Sequence, residues 1–320
     1  MLFRGKRGER IKDSARMTVT FVSQLVLFQP NLVPSDGHDG TTAMTITFSP
    51  PTKQARTSKQ IPLVPDTTKL EETHVTLHKS STKAFIMHDE INKWFSQCFG
   101  FDALLIYLGP NLRPVLGNLS PTAADRHSQS WIQGISKTIS SLYYGKEPEG
   151  LTFTDVAPYL IVTEESLQEV SSRLPEGQDM EITKFRPNIV LSGADGAYDE
   201  DYWGGLRFSS LDESESLDEI FLILTANCAR CVSINIDYLT GEPGKGEDGA
   251  ILKKMMKDRR VDMGSKYSPI FGRYAFLKDA SDRGRSRLRL GDRVTVSQRN
   301  AVRTKFGMLR KSHGPSNDND

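Results

Sequence analysis

Cysteine and histidine are scarce in this chain: three and six among 320 residues. The odd cysteine count, at Cys98, Cys228 and Cys231, excludes a disulfide-stapled secreted framework and fits a reducing compartment. Structural zinc lacks ligands, because no second Cys pair exists and His74 and His78 stand apart in strand-like sequence. An excess of one charge is also missing. With 41 basic and 40 acidic residues the formal net charge is +1, which gives no reason to expect a nucleic-acid partner. No apolar run approaches the roughly 18–20 residues of a membrane helix; residues 18–28 are too short and contain Ser23 and Gln24. No membrane segment is expected in the chain as given. Residues 1–16 mix basic side chains with Glu9 and Asp13, a poor transit peptide, so the expected placement is intracellular, cytoplasmic or mitochondrial.

The periodicities predict mostly strands. Residues 21–28, 44–48, 104–108, 159–162, 189–191, 220–224, 232–236, 274–277 and 294–296 carry β-branched and apolar content between turn signals such as Pro34-Ser-Asp-Gly-His-Asp-Gly40. Three stretches predict helices. Ile91, Trp94, Phe95, Cys98 and Phe99 form one apolar face, with Asp89 as cap and Gly100 as stop. Residues 163–173 and 251–257 supply the others. The class expected is mainly β with a few helices (α+β), closing into a barrel. Residues 121–150, rich in Ser, Thr and Gly, read as the region between two domains.

Chemistry concentrates in four places. Thr225-Ala-Asn-Cys-Ala-Arg-Cys231 sets Arg230 beside a thiol, which eases ionisation, and a thiolate is a good ligand for a soft transition metal. A thioredoxin-like redox pair would open a helix, whereas residues 232–236 read as a strand; two buried core thiols remain an alternative. Arg186 offers a planar fork for phosphate or carboxylate, and Asn188 offers donor and acceptor, both at a strand entrance behind Pro187. A salt-bridged arginine and a turn asparagine are the plainer reading. Phe271-Gly-Arg273 reads either as a barrel turn or as a close backbone approach to a ligand. Asp258-Arg-Arg-Val-Asp262 reads as a solvated charge run, and Asp155 lines the same mouth weakly. Residues 241–249 lack the Gly-Lys-Ser/Thr ending of a phosphate loop.

Taken in order, Phe185-Arg-Pro-Asn-Ile-Val-Leu-Ser-Gly193, Glu200-Asp-Tyr-Trp203, Asn227-Cys-Ala-Arg-Cys231, Lys257-Asp-Arg-Arg260, Ser268-Pro-Ile-Phe-Gly-Arg-Tyr274 and Leu290-Gly-Asp-Arg-Val294 resemble the MOSC domain family, named for the C-terminal domain of molybdenum-cofactor sulfurase. Within it they look closest to the mitochondrial amidoxime-reducing components and their fungal relatives. Leu108-Gly-Pro-Asn-Leu-Arg-Pro114 extends the likeness toward the family's N-terminal β-barrel domain. The resemblance implies a basic tail at 1–16, a partial N-terminal domain at 17–125, the MOSC domain at 126–300 and a tail at 301–320, both tails frayed. It implies a molybdopterin-type molybdenum cofactor, with Cys231 as metal ligand and catalytic residue. Arg186 and Asn188 would hold the phosphate end, and Ala229, Arg230 and Arg273 would line the site. It implies reduction of small N-hydroxylated substrates with electrons from an external, cytochrome b5-like donor. The family's opening Tyr-Pro-Ile/Val-Lys-Ser segment has no counterpart here, so the first strands are expected to be missing, and Ala194 stands where some relatives carry cysteine. Two other readings follow from the same resemblance: a sulfur-carrier module, with pyridoxal phosphate by family association alone, and a truncated non-catalytic relative.

Overall fold

A computed structural model describes residues 1–8, 16–33, 42–52, 55–116, 121, 150–210, 219–278 and 287–307. Among them strands dominate and α-helices are few, the mainly β class expected from the sequence. Strands β1 (Leu2–Arg4), β5 (Glu71–Leu77), β6 (Ser80–Ile86) and β7 (Ala103–Tyr107) form a four-stranded sheet in the order β1-β7-β6-β5. Beside it, β2 (Phe28–Val33), β3 (Ala43–Phe48) and β4 (Thr57–Pro62) form a three-stranded meander.

Helix α1 (Asp89–Phe99) lies between these sheets for the reason its spacing predicts: Ile91, Phe95 and Phe99 are buried with Ile46, Ile61 and Ala103. Gly100 ends it at φ 75°, a left-handed conformation open to glycine without a Cβ penalty. The N-terminal cap is His88 without a side-chain bond, so Asp89 is the first helical residue, where its charge suits the helix dipole.

The second half is one six-stranded sheet in the order β11-β10-β14-β13-β12-β15: β10 (Tyr159–Thr163), β11 (Ile189–Leu191), β12 (Trp203–Ser209), β13 (Ile220–Ala229), β14 (Ile270–Leu277) and β15 (Arg293–Arg299). β10 and β11 are parallel, as their joining through α2 (Glu164–Ser171) requires; every other pair is antiparallel. Thr163 caps α2 by accepting from the Ser166 amide. A short helix α3 (Ile251–Met255) closes one end of the sheet, burying Ile251 and Met255 with Val162, Val170 and Phe271. Two short strands, β8 (Arg113–Pro114) and β9 (Gly150–Leu151), pair across the break between the halves.

Several expectations are corrected. Residues 2–4 are not part of a frayed tail: Phe3 is fully buried, and its strand pairs with β7 because it completes that sheet's apolar layer. Residues 23–27 form a 3-10 turn rather than a strand, with pairing beginning only at Phe28. Residues 232–235 are likewise 3-10, since the chain must turn immediately after β13 ends. The Asp258–Asp262 charges are not all solvated, as Arg259 and Asp262 are buried. At the far end, residues 301–307 return to the sheet. The Thr304 hydroxyl accepts from Arg273 Nη1, and the Phe306 amide donates to both Asp262 oxygens at 3.1 Å. The expected turn at 34–40 and the boundary at 126 lie outside the described residues.

Candidate functional site

Strand β13 delivers Cys228, Ala229 and then Arg230 and Cys231 to the end of the sheet, where β14 begins. The alternation is broken by bulges, and the two thiols meet opposite environments. Cys228 is buried, and burial pushes its thiol up despite Arg230 and a hydrogen bond with Tyr274. Cys231 is exposed. The chain around its sulfur raises the pKa by desolvation, but hydroxyl contacts to Ser233 (3.1 Å) and Thr20 (3.4 Å), the Ser233 amide and the Arg230 charge together bring it below the usual cysteine value. A thiol tuned downward and open to solvent is nucleophilic and ready to ligate metal.

Arg230 is nine-tenths buried and held rigidly. Its Nε donates to Phe271 O at 2.9 Å and its Nη1 to Phe185 O at 2.7 Å, while the guanidinium lies over both of those stacked rings. Its Nη2 has no partner among the described residues. A buried donor left unpaired costs about 1–3 kcal/mol, so it marks a place where an acceptor belongs.

Arg186 occupies the left-handed region (φ 55°, ψ 47°) at the end of the 3-10 turn Ile182–Phe185. That conformation is sparsely populated for a non-glycine residue, and the following Pro187 limits relaxation. Its guanidinium is exposed, makes no hydrogen bond or ion pair among the described residues, and lies in electrostatic range of Asp155 and Tyr238. Asn188 fixes the β10–β11 junction: its Oδ1 accepts from the Leu160 amide at 2.8 Å and its own amide donates to Leu160 O at 2.9 Å. Ala229, half-buried, is the last residue of β13.

Arg273 is placed differently. It is fully buried behind the site, reached through Gly272 at φ 80°, where a Cβ would meet Ile161 O at 2.7 Å. Its Nη1 donates to Asn227 Oδ1 (2.6 Å) and Asp201 O, and its Nη2 to Trp203 O and Leu224 O. Burial lowers its pKa to about 10, against the opposing pull of Asp201, Asp262 and Glu200. The structure therefore brings Cys231, Ala229 and Arg230 together, sets Arg186 and Asn188 near them, and leaves Arg273 as a brace for Asn227, next to Cys228.

Asp155, a weak lining candidate from the sequence, reaches the site together with groups that motif reading passed over. The Asp155 carboxylate accepts from His78 Nε2 at 3.2 Å, and that bond, outweighing burial, together with the charges of His78, Arg186 and Arg16, holds its pKa down. The Thr154 hydroxyl and Arg16 Nε are enclosed without partners among the described residues. Ser233, two residues past Cys231, was open to a local reading. Thr20 and Arg16 were not, because their contacts span most of the chain.

Residues 148–295 match the sequence profile of the MOSC domain family. That stretch is a MOSC domain. Mitochondrial amidoxime-reducing component 1 of Homo sapiens is 32% identical over 145 residues, covering 44% of this chain and 38% of that protein. Mitochondrial amidoxime reducing component 2 of Bos taurus is 25% identical over 208 residues, 64% of this chain and 51% of the relative. Molybdenum cofactor sulfurase of Oryza sativa subsp. japonica is 30% identical over 105 residues, 31% of this chain and 12% of the relative. The matches thus span about half or less of each relative's length. No described helix is long and apolar enough to cross a membrane.

Within the matched residues, the exposed and acidified Cys231 thiol suits a soft-ligand metal, and the exposed Arg186 with the unpaired Nη2 of Arg230 suits an anionic group such as phosphate.

Proposed function

We propose that this chain is a molybdenum-cofactor-binding MOSC protein that works as an oxidoreductase on N-hydroxylated compounds, taking electrons from a separate redox protein of the cytochrome b5 type. One observation carries the reading: an accessible thiol of lowered pKa at Cys231 stands beside Arg230, whose enclosed Nη2 has no partner among the described residues, with the exposed Arg186 close by. The names of the relatives support the same reaction class and a mitochondrial setting.

When bound, the cofactor would supply the change of metal oxidation state by which the N-hydroxyl oxygen leaves as water. The chain does the rest. Cys231 provides the protein ligand, its pKa lowered by the Ser233 and Thr20 hydroxyls and by Arg230. Arg186 holds the phosphate end by its fork, and Asn188, whose oxygen is occupied by Leu160, contributes its amide nitrogen. Arg230 and the Ala229 backbone form a wall that the Phe185–Phe271 stack keeps from yielding. Arg273 serves from behind, orienting Asn227 and the β13–β14 bulges.

Elemental analysis of protein made in a cofactor-producing host tests this. Near-stoichiometric molybdenum in wild type and Cys228→Ala, lost in Cys231→Ala, is expected; equal metal in the two variants overturns the assignment. A second reading, a sulfur-carrier module, draws on the same acidified thiol and on the sulfurase relative. It predicts a persulfide on Cys231, seen by mass spectrometry in metal-free protein, and pyridoxal phosphate enters only with it.

A further inference from the structure

Cations outnumber carboxylates at the junction of the two halves. Arg113 is almost fully buried, yet its donors go only to backbone carbonyls, those of Leu77, Thr152, Thr154 and Asp155. Its pKa falls to about 10, chiefly by burial, with Asp155 opposing and Arg16 adding to the fall. Asp155 is the carboxylate in range of Arg16, Arg113 and Arg186, and it already accepts from His78.

Arg16 is not on a loose arm. It bridges Phe3, and the next amide, Met17, donates to Leu2 O at 3.0 Å, tying this point of the chain to β1, whose Phe3 is fully buried. Four residues on, Thr20 reaches Cys231. The segment 16–20 therefore runs from Asp155 to the thiol, and the buried Nε of Arg16 has no partner along the way. An unpaired guanidinium nitrogen set beside a second buried cation is unfavourable unless an anion joins them.

We infer that Arg16 is a phosphate-binding residue, completing with Arg186 and Arg230 a site for a phosphate monoester beside Cys231. The identity of that ester as the cofactor's phosphate end rests on the reading above; the anion site itself does not. A dianionic phosphate fits because it can accept from several forks at once and offsets the surplus of charge left around Asp155.

Two readouts test this on the full chain: molybdenum and released pterin in protein from a cofactor-producing host, and the rise in melting temperature given to cofactor-free protein by inorganic phosphate over chloride at equal ionic strength. Arg16→Gln should retain at least about fivefold less metal and pterin and bind phosphate about tenfold or more weakly, as expected for losing a charged hydrogen bond. Its melting temperature without phosphate should be unchanged or raised. Arg16→Lys, which keeps the charge without the fork, should fall between; it also carries the test if the glutamine variant does not fold. Wild-type values in both readouts for the folded variants overturn the inference. If wild type holds no metal or pterin but its phosphate response still depends on Arg16, the cofactor reading fails and the anion site stands. No metal and no phosphate response in wild type overturns both.

Discussion

Two arginine clusters flank the C-terminal end of β13, and they are built on different rules. Around Asp201, which is fully buried, Arg259 Nη2 donates to both carboxylate oxygens at 3.0 and 2.9 Å and Arg303 Nε donates at 2.8 Å. Arg273 adds bonds to Asp201 O, Asn227, Thr304, Trp203 and Leu224, leaving only its Nε unpaired. Near Cys231, Arg230 and Arg16 each have one enclosed unpaired nitrogen as Arg273 does, but no carboxylate binds Arg230, and Arg186 has no side-chain bond among the described residues. The first cluster spends its donors on the fold and pins residues 301–307. The second holds donors in reserve. Residue type is the same in both, so partner count, not identity, separates a brace from a binding site.

The sharpest break of that comparison is Cys231→Ala, which should remove bound molybdenum entirely while leaving stability nearly unchanged, checked by elemental analysis alongside thermal melting. Next comes Asp201→Ala. Removing one partner of a buried ion pair costs about 3–5 kcal/mol, so chemical denaturation should show a loss of that size. Arg186→Ala should do the reverse: ligand affinity falls by about 1.5–3 kcal/mol, the worth of a hydrogen bond to a charged group, while denaturation midpoints barely move. Thiol alkylation followed against pH should give Cys231 reacting first, with its midpoint below that of an ordinary cysteine, and Cys228 unreactive until the protein unfolds. The smallest effect is expected at Asp155. Its folded pKa is lowered, so its contribution is present above the unfolded value of about 3.9 and is lost as pH falls through the folded one. Asp155→Asn should flatten the acid limb of the stability curve below about pH 4 and leave neutral stability slightly reduced.

Much of the architecture was legible locally. The α1 face, the Gly100 stop, the strands expected at 159–162 and 274–277 and the thiol of Cys231 all follow from periodicity or from neighbours a few residues away. The misreadings share one cause. Residues 23–27 and 232–235 have strand composition, but no free sheet edge meets them, so they coil into 3-10 turns. Residues 1–4 have the basic look of a tail, yet Phe3 finds an apolar layer in β7 and stays. Arg273 looked like a ligand residue because its motif sits in a turn, but the Gly272 bulge turns it inward.

Sequence alone determined the mainly β class, the placement of the amphipathic helix and the chemical character of the Cys-Ala-Arg-Cys turn, because these depend on period, capping and adjacent charge. Only the tertiary structure decided which arginines are used up and which remain open. Hydrogen-bond satisfaction is a property of partners brought together from distant positions, as when Thr20 meets Cys231 or Arg16 approaches Asp155. No local pattern encodes that meeting, and it is what turns a stretch of charged residues into a candidate site.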